Sequence, residues 1–221
     1  MSLHYKVKRI IKRIIFRLKK WGFTEFHCFN FDTDNPLPKH GIYVLKDLMP
    51  QITALAIESA GMIRITDGTL LGLERDGFLI PHDNDLDFDI VGVDPSILYK
   101  FARTKNWTIG RSVIFNGKIQ QLVFFDKDEI IYDFIFWNKN GSFYSNYSEH
   151  GYVRIQKQHF LENTSKRSYH GHDFLIPSDI SSWLIMRYGN NWSVPAESKG
   201  DWKEECGDLL SLDNLYRVNQ S

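Results

Sequence analysis

The amino-acid sequence predicts an α+β fold in which a mixed or antiparallel sheet is flanked by helices. The chain of 221 residues is 43% hydrophobic and 14% aromatic, enough for one sizeable core and without the composition of disorder. Helix-like and strand-like segments are mixed without strict alternation. The pair Asn116-Gly117 separates two strand-like runs, as in a β-hairpin. We therefore expect a helix over residues 1–24 and a single domain over residues 25–221.

The N-terminal segment has the pattern of a basic amphipathic helix. Eight Lys and Arg residues precede the first acidic residue, Glu25, and apolar residues recur at the spacing of one helical face. These apolar residues are Val7, Ile10, Ile11, Ile14, Ile15, Leu18 and Trp21. Such a helix over residues 1–21 suits an anionic membrane surface, and docking on its own domain is an equal alternative. The remaining charged residues are 27 acidic and 19 basic, so we expect no nucleic-acid partner.

The first half of the chain predicts helices and strands in mixed order. Residues 23–41 are aromatic and rich in turn formers, which is typical of a linker or a wrapping segment. The elements expected next are a helix over 44–61, a strand over 62–66, a short helix over 69–75, a strand over 86–92 and a helix over 94–107.

The second half contains the clearest strand pattern. Three strand-like runs over residues 111–137 are separated by Asn116-Gly117 and by a polar turn, which indicates an antiparallel meander. Residues 177–192 predict a helix that Ser178 caps and Gly189 ends.

Five aspartates lie between Asp76 and Ile90, among residues typical of a core strand. Side chains of an extended strand alternate between faces, so Asp85 and Asp87 share one face with Cα atoms about 6.5 to 7 Å apart. That spacing allows two carboxylates to share one hard cation. The alternative is an amphipathic strand whose acidic side chains face solvent.

Asp133 strengthens the cation hypothesis. It lies within "IIYDFIFW", a strand expected to be covered on both faces, where a lone carboxylate must be paired, protonated or bound to a metal. If that strand neighbours residues 86–92, three carboxylates converge. Oxygen ligands from two strands suit Mg²⁺ or Mn²⁺. A structural bond to a Tyr or Arg side chain is the alternative.

A phosphate site is expected just before the aspartates. Gly68 and Thr69 stand where a strand meets a helix N-terminus, and free backbone N–H groups there attract anions. Arg75 is a candidate to hold a phosphate with its fork of donors, or it covers the helix face.

Two stretches together resemble the LicD family, which includes fukutin and fukutin-related protein. "DGTLLGLERDGFLIPHDNDLDFDI" is similar to the family signature of Gly-Thr-Leu-Leu-Gly, an Arg, then Ile-Pro-Trp-Asp-x-Asp-hydrophobic-Asp. "DFLIPSDISSWLIMRYGNNWSVP" is similar to its downstream pattern of a Pro-led helix, Tyr-Gly-x-x-Trp and a Pro. The resemblance covers roughly residues 45–195.

The resemblance implies a nucleotidyltransferase-type fold and transfer of a phospho-alcohol from a CDP-activated donor to a glycan. It makes Asp85 and Asp87 the metal-binding pair and Asp133 the third carboxylate. Gly68 and Thr69 correspond to the donor-phosphate loop.

Two further residues take their roles from the same resemblance. Asp83 matches a motif aspartate and is a supporting ligand. His82 departs from the pattern, which has Trp there, and we expect it to line the substrate pocket.

The expected setting is cytoplasmic, peripheral on the inner membrane face of a bacterium, with a surface glycan, lipid-linked if the helix binds membrane, as acceptor. Cys28 and Cys206 form no disulfide or zinc pattern, and no apolar run reaches the length of a membrane span. A nucleotidyltransferase acting on a small alcohol or sugar, and a non-catalytic glycan- or phosphate-binding module, are the alternatives.

Overall fold

The computed structural model describes residues 23–28, 41–81, 83–196 and 207–212. The predicted basic helix over residues 1–21 and the predicted pocket residue His82 lie outside the described residues. Phe23 and Thr24 begin strand β1 (Phe23–Cys28), so the end of the range 1–24 and the first part of the predicted linker belong to a sheet. That strand was not expected, because an edge strand of six residues carries little periodic signal.

The described residues contain one main sheet of six strands, in the order β1-β4-β5-β6-β3-β2. Its other strands are β2 (Met62–Ile65), β3 (Asp85–Val91), β4 (Thr108–Phe115), β5 (Lys118–Phe125) and β6 (Ile131–Phe136). Strands β4, β5 and β6 form the predicted antiparallel meander. Strand β3 pairs in parallel with β6 and antiparallel with β2. The sheet is therefore mixed, as predicted.

Helices cover one face of this sheet. Gly41–Tyr43, Val44–Leu48 and Met49–Ser59 form one continuous helix, α1, whose middle part is π-helical. Helix α2 spans Asp67–Arg75, and α3 spans Pro95–Thr104. The helices predicted over 44–61, 69–75 and 94–107 are confirmed within a few residues. Burying one aliphatic side chain of α1, such as Leu45 or Ile52, contributes about 1.5 to 3 kcal/mol.

Smaller sheets follow the main sheet along the chain. Strands β7 (Asn138–Asn140), β8 (Phe143–Ser148), β9 (Tyr152–Lys157) and β12 (Leu209–Ser211) form one sheet, and β10 (Thr164–Tyr169) pairs with β11 (His172–Pro177). The sequence did not predict these strands, because their polar and short patterns resemble loops. The four-stranded sheet is joined to the main sheet through Asn146 of β8, whose side-chain Nδ2 donates to the carbonyls of Gln120 and Phe136.

Two short helices complete the described part of the chain. Helix α4 spans Gln158–Glu162, and α5 spans Ile180–Tyr188. The cap of α5 is Asp179, whose carboxylate accepts from the Ser182 N–H at 3.0 Å, so the expected cap Ser178 is wrong by one residue. None of the described helices has the length and apolar character needed to cross a membrane.

The core lies between the helices and one face of the main sheet. Alternate residues of β3 and β6 point into it, including Leu86, Phe88, Tyr132 and Phe134, each almost fully buried. The intervening residues of both strands point to the opposite face. The alternation predicted for β3 is therefore confirmed, and it sends the aspartates away from the core.

Candidate active site

Two carboxylates meet where the parallel strands adjoin. Asp87 of β3 and Asp133 of β6 are directly opposed Cα partners, and both lie on the sheet face opposite the core. Asp133 was expected on a strand covered on both faces. It is instead half-buried, because its own face opens onto a cavity.

That cavity has a volume of about 360 Å³. Five aspartates and three arginines line it, with Gly68 between them. The charged lining residues are Asp67, Asp83, Asp85, Asp87, Asp133, Arg111, Arg154 and Arg187. Neutral lining residues include Gln121, Asn146, Tyr147 and Tyr188. The structure therefore brings together the aspartates that the sequence singled out, and three arginines line the same cavity.

Burial and mutual repulsion oppose ionisation of Asp83, Asp87 and Asp133. Burial, together with the negative charge of Asp85, raises the pKa of Asp83 to about 8. The same two causes raise the pKa of Asp87 well above its usual value. Burial raises the pKa of Asp133 to about 7, although the charge of Arg111 acts in the opposite direction. A cation in the cavity would remove this repulsion.

Gly68 and Thr69 lie at the start of α2, against the carboxylates. The Thr69 N–H donates to Asp87 Oδ2 at 3.3 Å, and the Asp87 N–H donates to Thr69 Oγ1 at 2.8 Å. A Cβ added at Gly68 would lie 2.7 Å from Asp83 Oδ2. Glycine therefore allows the helix start to approach the carboxylates. The phosphate-binding role of both residues stays a prediction, and the structure adds a positioning role for Thr69.

Asp67 anchors the start of α2 in a second group of charges. Its φ of 41° is left-handed, a conformation that Asp tolerates better than most residues. Arg187 Nε donates to its Oδ1 at 2.7 Å and Arg154 Nη1 to its Oδ2 at 3.1 Å. Burial alone would raise the pKa of Asp67, but the two arginines outweigh burial and lower it to about 2. Both arginines also donate to Asp208, which enters from the C-terminal segment.

Asp89, the last aspartate of β3, does not reach the cavity. It is fully buried, and Arg64 of the neighbouring strand donates to its Oδ2 through Nε at 2.9 Å and Nη2 at 2.7 Å. Trp137 Nε1 donates to the other oxygen at 2.6 Å. This fully hydrogen-bonded pair ties β2, β3 and the end of β6 together.

Arg75 is not brought to the cavity. It lies at the far end of α2 from Gly68, about 10 Å along the helix axis, and its guanidinium pairs with Asp76 at 2.6 Å. The surface-covering alternative considered for Arg75 therefore fits better than phosphate binding. The position of Asp83 agrees with a supporting role, because it lines the cavity beside Asp85 and Asp87.

The residues present fit a hard divalent cation. All the candidate ligands are carboxylate oxygens, and Asp133 Oδ1 is buried without a hydrogen-bond partner among the described residues. The described part of the chain holds no group of three His, Cys, Asp or Glu side chains already arranged as a metal cage. Carboxylate oxygens are ligands that Mg²⁺ prefers, and the ion is usually bound by one or two carboxylates together with substrate oxygens.

The three arginines that line the cavity were not predicted from the sequence. Arg111, Arg154 and Arg187 lie on β4, β9 and α5, which are remote in sequence from the aspartates. The sequence signal for these arginines was indirect. A motif with five aspartates needs positive charge nearby, but the motif does not indicate which arginines provide that charge.

The mixed sheet, the glycine at the start of α2 and the paired aspartates on adjoining strands define a nucleotidyltransferase-type domain. The family model described as "LicD/FKTN/FKRP, nucleotidyltransferase domain" matches residues 63–179. The chain belongs to this family, as its motifs indicated. Membership makes it a transferase of phosphate-containing groups.

Other comparisons give more distant similarities. No curated protein shows significant sequence similarity to the chain. The similar solved structures include the lincosamide antibiotic adenylyltransferase LnuA with lincomycin bound, at 12% sequence identity and a TM-score of 0.43. That similarity covers 67% of this chain and 92% of the adenylyltransferase.

Proposed function

We propose that this protein is a metal-dependent transferase that moves a phospho-alcohol from a CDP-activated donor to a hydroxyl of a cell-surface glycan, releasing CMP. The phospho-alcohol is of the phosphocholine, ribitol phosphate or glycerol phosphate type. The observation that carries the proposal is the convergence of four carboxylates, Asp83, Asp85, Asp87 and Asp133, on one cavity of a LicD-family domain.

The proposed cofactor is Mg²⁺ or Mn²⁺. Asp85 and Asp87 would hold the ion, with Asp133 and Asp83 as additional ligands. When bound, the ion supplies positive charge that neutralises the phosphate oxygens as the bond to the leaving group breaks. The raised pKa values of Asp83 and Asp133 support this assignment, because burial disfavours the ionised forms of both carboxylates and a bound cation would stabilise them.

The residues of the chain have separate tasks in the proposed reaction. The acceptor hydroxyl oxygen forms a bond to the phosphorus that carries the alcohol, and the bond from that phosphorus to CMP breaks with its electron pair leaving on CMP. Asp133 accepts the hydroxyl proton. Gln121 Nε2 donates to the Oδ2 of Asp133 at 2.6 Å. The buried Oδ1 of Asp133 has no hydrogen-bond partner in the described part of the chain. Gly68 and Thr69 face the donor phosphates.

Attack of the acceptor hydroxyl at the nucleotide phosphorus would be a different reaction. A hydroxyl that attacks the nucleotide phosphorus becomes nucleotidylated, and this nucleotidyltransferase reaction on a small alcohol or sugar needs the same carboxylates. A glycan- or phosphate-binding module without turnover would keep the cavity but would not consume the donor. The products formed distinguish the three.

Residues 1–21 are proposed to bring the protein to the inner face of a membrane, where a lipid-linked glycan is accessible. The support is the sequence pattern of eight cations beside one apolar stripe. Co-sedimentation with anionic phospholipid vesicles tests it, using the full chain and a variant with those eight cations changed to Gln. Equal sedimentation of the two proteins would refute the membrane role.

The first experiment on function is a thermal-stability panel with CDP-choline, CDP-glycerol, CDP-ribitol and CDP-ethanolamine, each with and without Mg²⁺. The wild type, the Asp85→Asn variant and an Asp128→Asn control are compared. Asp128 is a suitable control because it lies on an exposed turn and only approaches Lys127 at 3.8 Å.

We expect one CDP-alcohol to raise the melting temperature only with Mg²⁺, in the wild type and the control but not in Asp85→Asn. That donor is then incubated with a polyol acceptor, and the release of CMP is measured. Stabilisation by other nucleotides alone would favour the nucleotidyltransferase, and binding without CMP release would favour the binding module.

A further inference from the structure

Arg111 lies on the same face of the main sheet as the carboxylates. The opposed residues Arg111, Val123, Asp133 and Asp87 form one row across β4, β5, β6 and β3. Side chains in such a row point to the same side. Val123 separates the cation from the carboxylates by one strand, so the Cα atoms of Arg111 and Asp133 are about 9.5 Å apart, or two strand spacings.

A local irregularity of β4 accompanies this placement. The pairing with β5 shifts between Ile109 and Arg111, so Gly110 is an extra residue in the ladder. Such a bulge re-aims the side chains that follow it and is frequent beside active sites. Arg111 lines the cavity, whereas Ile109 on the other side of the bulge is 40% exposed.

The guanidinium of Arg111 is only partly engaged. Its Nη1 donates to Glu149 Oε1 at 3.2 Å, and the described residues provide no partner for its remaining donors. By contrast, Arg154 and Arg187 each donate to two carboxylates, those of Asp67 and Asp208. A guanidinium carries five N–H donors, so Arg111 keeps most of its donors available toward the cavity.

Glu149 holds that guanidinium in place. Its side chain is 5% exposed, and its Oε2 is buried without a partner among the described residues. The Arg111 side chain is 27% exposed. The guanidinium is therefore accessible from the cavity while its Nη1 remains hydrogen-bonded to Glu149. A guanidinium fixed on one side loses little further conformational freedom when it binds an anion.

From these observations we infer that Arg111 is the anion-recognition residue of the cavity and binds a phosphate group of the substrate beside the carboxylates, separated from Asp133 by strand β5. The fork of guanidinium donors matches phosphate geometry, and the carboxylates alone would repel the same group. The inference rests on the proposed function for the source of that phosphate, which is either the donor pyrophosphate or a phosphate of the acceptor.

The test compares the wild type with four variants of the full chain. Arg111→Gln removes the charge, and Arg111→Lys keeps the charge without the fork. The double variant Arg111→Gln/Glu149→Gln removes both charges of the ion pair together, and it should keep the fold where the single change would leave the buried Glu149 unpaired. Arg103→Gln is the control for loss of an exposed arginine, on α3. Calorimetry with inorganic phosphate, with CDP and with ribitol 5-phosphate, each with Mg²⁺, measures binding.

We expect the double variant to melt like the wild type and to bind inorganic phosphate about 10- to 100-fold more weakly, since hydrogen bonds to charged groups have this effect. Arg111→Lys should lie between the two, and Arg103→Gln should match the wild type. A parallel loss for CDP assigns the phosphate to the donor, and a parallel loss for ribitol 5-phosphate assigns it to the acceptor.

Equal phosphate affinity in the wild type and the double variant, including no binding by either, would overturn the role of Arg111. The proposed function fails by a separate result, in which CDP-alcohols neither bind nor release CMP in the wild type. Phosphate binding that depends on Arg111 would still support the inference in that case.

Discussion

Asp87 and Asp133 face each other across the parallel pair β3 and β6, as directly opposed residues of neighbouring strands. Two carboxylates at this position, on a half-buried face, repel each other when both are ionised. The pKa of each is raised, with burial as the first cause. This pair lies at the centre of the candidate site.

Neutralising either carboxylate should abolish transfer while leaving the fold intact. We expect Asp87→Asn and Asp133→Asn to lower turnover by about 10²-fold or more, because each removes a cation ligand or proton acceptor. Release of CMP from the identified donor measures this, with thermal melting as the check on folding. Asp128→Asn, on the exposed turn, should retain activity. Wild-type turnover in Asp87→Asn would refute the metal assignment.

The metal-free protein should lose stability as the pH rises. The pKa values of about 8 for Asp83 and about 7 for Asp133 exceed the ordinary value of 3.8, so the folded chain holds protons that the unfolded chain has released. Stability from these groups is therefore fully present below about pH 4 and is lost as the pH rises to about 8. Melting temperatures measured from about pH 5 upward avoid titration of Asp67, whose pKa is about 2.

The same linkage predicts how Mg²⁺ acts. Because the ion binds the ionised carboxylates, its stabilising effect should be small near pH 5 and larger near pH 8. Asp83→Asn should weaken both the pH dependence and the effect of Mg²⁺. A melting-temperature increase from Mg²⁺ that is equal at both pH values would contradict this prediction.

A side chain at residue 68 should interfere with the site. In Gly68→Ala the new Cβ would lie 2.7 Å from Asp83 Oδ2 and 3.3 Å from Asp87 Oδ2, so the carboxylates must move. We expect weaker Mg²⁺ binding by calorimetry and a loss of turnover. Gly77→Ala is not a matched control, because Gly77 has a φ of 69°. Ala54→Ser, on the exposed side of α1, is a suitable control. Unchanged Mg²⁺ affinity in Gly68→Ala would show that the carboxylates do not hold the ion as proposed.

The buried pair of Arg64 and Asp89 should be needed for stability rather than chemistry. Asp89→Asn leaves the fully buried Arg64 without its carboxylate, and removing one partner of such a pair costs about 3 to 5 kcal/mol. Arg75→Gln breaks a surface pair with Asp76 and should cost about 0 to 1 kcal/mol. Denaturant unfolding measures both. Equal losses of unfolding free energy in Asp89→Asn and Arg75→Gln would contradict the structural role of the buried pair.

Local patterns were sufficient for much of the fold. The alternation in β3, the Asn116-Gly117 hairpin and the helix openings near Thr69 and Asp94 are decided by neighbours in sequence, and the structure agrees with them within a few residues. The short polar strands β7 to β12 were missed, because their stability comes from pairing with distant strands rather than from a local pattern. Ser178 was preferred to Asp179 because both residue types cap helices equally well.

The sequence by itself determined the candidate residues of the site: a strand of alternating aspartates, one aspartate in an apolar strand, and a glycine before a helix. Only the tertiary structure decided how they are used. The register of β3 against β6 places Asp87 directly opposite Asp133. The pairing of β3 with β2 places Asp89 beside Arg64, which binds its carboxylate. The length of α2 places Arg75 away from the cavity. Arg111, Arg154 and Arg187 complete the site because strand pairing and packing bring distant charges together, and no local pattern encodes such long-range contacts.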